Sequence, residues 1–169
     1  MKVFIEKQSF KKWWLLIIII LPVIGVLFPF IFRKEEFPEI GSEGFWGIAI
    51  TLIILLLVFG FIFSIKLYTK INEQGIYYKF FPIHFSEKFI SWSEIDTCTI
   101  RKYNSLSEYG GYGYRIRFFG KNKGKALNVG GKYGIQLELK NGKKLLIGTQ
   151  KQEEVETVLK TYKNRINEK

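Results

Sequence analysis

The densest set of side chains able to hold a ligand lies between Arg101 and Arg117. Arg101, Lys102, Tyr103, Tyr109, Tyr112, Tyr114, Arg115 and Arg117 interleave cations with phenol rings around Gly110, Gly111 and Gly113. Arginine presents a planar fork of donors to carboxylate or phosphate, tyrosine joins an apolar ring to a polar tip, and flexible backbone can offer N–H donors to an anion. The chemistry available to such a segment is capture of an anionic group or seating among lipid headgroups. The same composition also describes a long connection between strands, in which glycines supply positive φ and tyrosines cover a sheet, and this plainer reading is the stronger of the two.

Catalytic parts are scarce. His84 is the only histidine and Cys98 the only cysteine, so neither a two-imidazole metal site nor an internal disulfide can form. A cysteine without a partner base reads as a small buried residue. Glu94 and Asp96 can share a sheet face, but a carboxylate pair needs a cleft for which nothing else argues. Gly124-Lys125 and Gly130-Gly131-Lys132 lack the strand-to-helix setting and the Gly-Lys-Ser/Thr ending of a phosphate cradle. No catalytic residue, metal ligand or cofactor is assigned, and the chain is expected not to be an enzyme. A site built on Arg101, Tyr103, Glu108 and Arg115 is the least favoured alternative.

The elements that must position these residues are mostly strands. Residues 71–74 run into the turn cluster Asn72-Glu73-Gln74-Gly75, 76–81 follow, and Pro82 closes them. Segments 88–92 and 97–103 make the next pair. In 114–118 the alternation sets Arg115 and Arg117 on one face, with Ile116 and Phe118 on the other. Residues 126–129 are a short candidate. Residues 135–140 and 143–147 flank Asn141-Gly142, the signature of a two-residue type I′ hairpin turn. After the hairpin the apolar period changes. Val155, Val158, Leu159, Tyr162 and Ile166 form one stripe on a helix, with Thr149 placed to cap it and Gln152 answering three residues later.

Two uncharged apolar runs, 13–32 and 44–65, precede all of this. At about 1.5 Å per helical residue each matches the ~30 Å core of a bilayer. The first run is too long for a signal peptide and is followed by Arg33 and Lys34 rather than small residues. Pro22 interrupts it, as proline often does in membrane helices. Lys2, Lys7, Lys11 and Lys12 on one flank and Lys66 and Lys70 on the other place both termini in the cytoplasm. The connection carries Glu35, Glu36, Glu39 and Glu43 beside Arg33 and Lys34. Trp13, Trp14 and Tyr68 are expected at the inner interface and Trp46 at the outer one. With no charge inside either run, an ion path through them is not expected. The expected division is a cytoplasmic flank at 1–12, spans at 13–33 and 45–67, a short external loop at 34–44, and a cytosolic domain at 68–169.

That domain is basic: residues 69–169 hold 19 Lys and Arg against 10 Asp and Glu, nine of the chain's eleven net positive charges. Positive charge near a cytoplasmic membrane face serves orientation and solubility, and it also attracts anionic lipid. The order of elements, with Phe89-Ile90-Ser91-Trp92-Ser93-Glu94-Ile95 after the first hairpin and Asn141-Gly142-Lys143-Lys144-Leu145-Leu146-Ile147-Gly148-Thr149-Gln150 leading into the last helix, resembles bacterial membrane proteins with a pleckstrin-homology-like domain. The resemblance covers roughly residues 68–162 and leaves out the glycine- and tyrosine-rich stretch 103–134.

It implies an α+β chain: a two-helix transmembrane hairpin, then a pleckstrin-homology-like antiparallel β-barrel or sandwich of about seven strands closed by a C-terminal helix. It also implies a bacterial cytoplasmic (inner) membrane location. The expected role is a non-enzymatic binding or scaffold domain at the inner face of the membrane. Its expected partners are the bilayer itself and a protein segment or anionic inner-leaflet headgroups. A self-associating hairpin, packing through Gly44 and Gly47 or Gly60 and Ser64, is the alternative. Nucleic acid is not expected, because neither an aromatic RNA-binding motif nor a recognition helix is present.

Overall fold

The computed structural model describes residues 2–10, 14–32, 36–117 and 123–167. Lys11, Lys12, Trp13, Arg33, Lys34, Glu35 and Phe118 lie outside them, as do the side chains of Trp14, Lys163 and Ile166. The chain divides into two units, Lys11–Ser64 and a second formed by Met1–Phe10 with Ile65–Lys169.

In the first unit, α1 (Trp14–Phe32) contains Pro22 and Pro29, and α2 (Glu43–Ser64) has no buried residue. Among the described residues one helix, Glu43–Ser64, is long and apolar enough to cross a membrane, and the apolar helical stretch Ile20–Phe32 is shorter. The pair of span-length helices expected at 13–33 and 45–67 is therefore represented by one. Within α2 the hydroxyls turn back on the helix, Thr51 donating to the Gly47 carbonyl at 2.8 Å and Ser64 to that of Phe61 at 2.7 Å.

The second unit is α+β. Its first sheet is an antiparallel meander of β1 (Phe4–Ser9), β2 (Lys66–Ile71), β3 (Gly75–Phe81) and β4 (Lys88–Ser91). β1 corrects the sequence expectation, because 1–12 is not simply a flank: it supplies an edge strand, and the domain begins before the apolar runs rather than at 68. The strand was hidden because its inward positions are Phe4, Glu6 and Gln8 while Ile5 points outward at 65% exposure, the reverse of a half-buried alternation. In register, Ser9 faces Lys66 and Phe4 faces Ile71. The whole 11–64 stretch is thus an insertion between two paired strands.

A short 3₁₀ turn (Trp92–Glu94) leads to the second sheet. Ser91 and Glu94 form a reciprocal capping box there, Glu94 accepting from the Ser91 N–H at 3.0 Å. This engages the carboxyl that sequence spacing had paired with Asp96. Trp92 is buried, donates from Nε1 to the Asn72 carbonyl at 3.0 Å and stacks on Tyr162.

The second sheet holds β5 (Ile95–Lys102), β6 (Gly113–Arg117), β7 (Gly124–Asn128), β8 (Tyr133–Leu139) and β9 (Lys144–Thr149) in the order β5-β8-β9-β7-β6. Among the described residues nine strands thus replace about seven, and the β7–β9 pair is parallel rather than antiparallel. Gly124 allows that pairing, since a Cβ there would sit 2.4 Å from the Lys144 carbonyl oxygen. The β8–β9 turn also differs from expectation. Glu138 pairs with Lys144, and the Gly142 N–H donates to the Leu139 carbonyl. The loop is therefore Lys140-Asn141-Gly142, with Gly142 at φ +76°, a three-residue connection whose glycine takes the left-handed position.

The core lies between the sheets, with Leu67, Ile71, Ile76 and Phe80 from the first and Ile95, Leu127, Ile135, Leu137, Leu145 and Ile147 from the second. Helix α4 (Gln152–Asn167) buries Val155, Val158 and Tyr162, as its period requires. Thr149 does not cap it. The hydroxyl donates to Glu6 and accepts from the Lys151 N–H, holding the strand end rather than the helix end.

Candidate functional site

The segment after β5 folds locally before it can act chemically. Asn104 caps a five-residue helix, α3 (Ser105–Tyr109), accepting from the N–H groups of Leu106 and Ser107, and Gly110 ends it in the left-handed conformation at φ +72°. Glu108 reaches back to the Asn104 N–H at 2.8 Å. The signal was present in sequence as an Asn followed by Glu and then Gly. The glycines do supply positive φ, with Gly111 at +130° and Gly113 at +108°.

This helix lies over the outer face of the second sheet, and the cations named from sequence hold it there. The Arg101 guanidinium donates to Glu108 at 2.7 Å, to the Tyr109 hydroxyl at 3.1 Å and to Gln136 Oε1 at 3.1 Å. Arg117 donates to the Glu108 carbonyl, and Arg115 to that of Tyr112. Beneath them Tyr103, Tyr109, Ala126 and Leu146 form a buried cluster. Burial drives the Tyr103 hydroxyl up to about 12. Burial also raises Tyr109, with the Arg101 cation opposing it. Lys102 is exposed. Tyr114 leaves this set for the other face of β6, its ring 6.3 Å from Phe80 and 5.6 Å from His84. The eight sequence candidates therefore do not form one surface. Arg101 and Arg117 fasten a helix to a sheet, and exposed Arg115 is tied to the turn before β6, so the guanidinium groups do not converge on one anion site.

The remaining chemical candidates are likewise engaged in the fold. His84 Nδ1 accepts from the Phe80 N–H, and burial, then Lys88 and Lys125, lower its pKa. Cys98 is raised to about 12 by burial. Thiol reagents at pH 8 are accordingly expected to modify Cys98 far more slowly in the native protein than in urea, read by mass spectrometry. Because the folded thiol titrates above its unfolded value, its contribution to stability is complete below pH about 9 and is lost as pH rises toward 12.

A second location, absent from the sequence reading, has the shape of a site. A groove of about 970 Å³ runs between β4, β6, the start of β7 and the β8–β9 hairpin. Its apolar lining includes Phe89, Ile116, Leu139 and Leu145, the first two exposed at 47% and 46%. Lys123, Lys125, Lys140 and Lys143 surround it. The hairpin is pinned in place by the Lys140 N–H donating to the Glu94 carbonyl at 2.9 Å, which sets Lys140 and Lys143 on the rim. Lys125 is the register partner of Ile116 and sits 6.0 Å from the centre of the Tyr114 ring. Glu138 holds Lys144, and Glu94 is held by its capping box. Among the described residues no carboxylate pairs with the other four lysines. The lining comes from segments far apart in the chain, and no short motif announces it.

No family model, curated protein or solved structure matches the chain.

Proposed function

We propose that this chain is a non-enzymatic, membrane-anchored binding module, presenting a basic pleckstrin-homology-like domain at the cytosolic face of a bacterial inner membrane. The observation that carries this reading is the pairing of Ser9 with Lys66. An insertion that leaves and re-enters one sheet at neighbouring residues must return to the side from which it started. An even number of crossings does this: α2 has the length and apolarity for one, and we take α1, whose described apolar stretch Ile20–Phe32 is shorter, as the other. Lysines on both flanks favour the cytoplasm for that side. Two sheets followed by a helix that packs on the core support the pleckstrin-homology-like assignment, with the parallel β7–β9 pair as its departure. Binding rather than catalysis fits a domain in which His84, Arg101 and Arg117 are hydrogen-bonded within the fold and the Cys98 thiol is raised by burial.

Cysteine labelling in intact cells tests the topology. Glu39→Cys is expected to react with a membrane-impermeant maleimide from outside, and Lys140→Cys only after lysis, with the protein resisting carbonate extraction. Reaction of both sites only after lysis together with release by carbonate, or the reverse labelling pattern, would overturn the anchored reading.

A further inference from the structure

We propose that the groove between β4, β6 and the β8–β9 hairpin binds a single-chain anionic amphiphile, its acyl chain along Phe89, Ile116, Leu139 and Leu145 and its carboxylate or phosphate among the four lysines. This deepens the binding-module reading and rests on that part of it, not on the membrane topology.

The lining separates into two chemistries. Phe89 from β4 and Ile116 from β6 are nearly half exposed in one depression, where isolated surface apolar groups would need no explanation. Leu139 and Leu145 continue the apolar wall from β8 and β9. A volume of about 970 Å³ is at the upper end of pockets that enclose a small ligand, with room for one chain.

The charge is one-sided. Lys123, Lys125, Lys140 and Lys143 are without a carboxylate partner among the described residues; Glu94, which lines the groove, accepts from the Ser91 N–H, and Glu138 on β8 is held by Lys144. Lysine ammonium groups act as compact point charges toward carboxylate or phosphate. A neutral lipid would leave those cations unanswered, and a small inorganic anion would leave the apolar walls bare. The ligand that satisfies both carries a charged head and an apolar tail. Across β6, Arg101 and Arg117 are already engaged with Glu108 of α3, and among the described residues no apolar groove is lined by Arg101 or Arg115 there.

The full chain in phosphatidylcholine nanodiscs, photolysed with a diazirine-bearing palmitate and analysed by peptide mass spectrometry, tests this directly. Adducts are expected in peptides containing Phe89, Ile116 and Leu139–Leu145 residues, with oleate and dodecyl phosphate competing and dodecanol not. The stronger competitor of the two identifies the head as carboxylate or phosphate. The triple variant Lys123→Glu, Lys140→Glu, Lys143→Glu is expected to lose about tenfold in groove labelling. Ile116→Trp, which fills the groove while keeping all four lysines, is expected to lose labelling at an unchanged melting temperature. Adducts confined to α1 and α2, equal competition by dodecanol, or stronger competition by an acidic apolar peptide would each overturn the proposal. Groove adducts are read whatever the topology, so a failure here is distinct from a failure of the anchored reading.

Discussion

Replacing residues 11–64 with an Asn-Gly turn that joins Phe10 to Ile65 is expected to give a soluble, cooperatively melting domain, whereas a fragment beginning at Lys66 is expected to be unfolded. Ser9 and Lys66 already face each other at the end of an antiparallel ladder, the geometry that a two-residue turn closes. Removing β1 instead strips six ladder residues from β2 and uncovers buried Leu67, Thr69 and Ile71. Phe4, 2% exposed, contributes about 3 kcal/mol by burial. Gln8 donates to the Gly148 carbonyl at 2.7 Å, and the Tyr162 hydroxyl donates to the Lys2 carbonyl at 2.6 Å. Losses of about 1–3 kcal/mol at each buried polar group add up to the scale of a whole domain's stability, about 5–15 kcal/mol. Circular dichroism melting and amide dispersion distinguish the two constructions. A sharp transition in the fragment lacking residues 2–9 would show that β1 is dispensable.

Glu6→Ala is expected to be the most damaging single substitution on that strand, at about 2–4 kcal/mol. The Glu6 carboxyl is 5% exposed and joins the two sheets, Oε2 accepting from the Thr149 hydroxyl at 2.7 Å and Oε1 from the Gln150 N–H at 2.9 Å. Alanine leaves the buried Thr149 hydroxyl and the half-buried Gln150 N–H without this acceptor and opens a void beside them. In a domain of this size the melting temperature should fall by roughly 10–20 °C. Glu6→Gln keeps one carbonyl oxygen for the Gln150 N–H, and the Thr149 hydroxyl can rotate, so its loss should be well under half as large. Equal losses for Ala and Gln would mean that the site needs a full carboxyl group, and no loss for Ala would remove Glu6 from the sheet-to-sheet contact.

Glu6 also explains why one part of the fold was legible and another was not. Pattern reading works where burial follows polarity: it found β3, β4, β8, β9 and the α4 stripe, whose inward residues are Ile76, Phe80, Ile90, Ile135, Leu137, Val155 and Val158. It passed over β1, where inward Glu6 and Gln8 are made tolerable by donors and acceptors supplied from β9, more than 130 residues away. α3 was missed for a different reason. Five residues are too few for a hydrophobic period, and only the Asn104 and Gly110 caps mark them.

The candidate site divides in the same way. Composition located the cations between Arg101 and Arg117 but could not tell a cation that awaits a ligand from one that holds a helix. Glu108 folding back onto Arg101 decides that. Alternation did place Arg115 and Arg117 opposite Ile116, and Ile116 supplies an apolar wall of the groove, with Arg117 beside it.

By itself the sequence determined the two apolar runs, the basic strand-rich domain and the amphipathic helix that ends it. These follow from local composition and period, which depend only on neighbours along the chain. Tertiary structure alone decided that the domain starts before its insertion, that β7 runs parallel to β9, and that four lysines with no carboxylate partner among the described residues meet an apolar groove. Each of these rests on contacts between distant segments, whose energies no local pattern encodes.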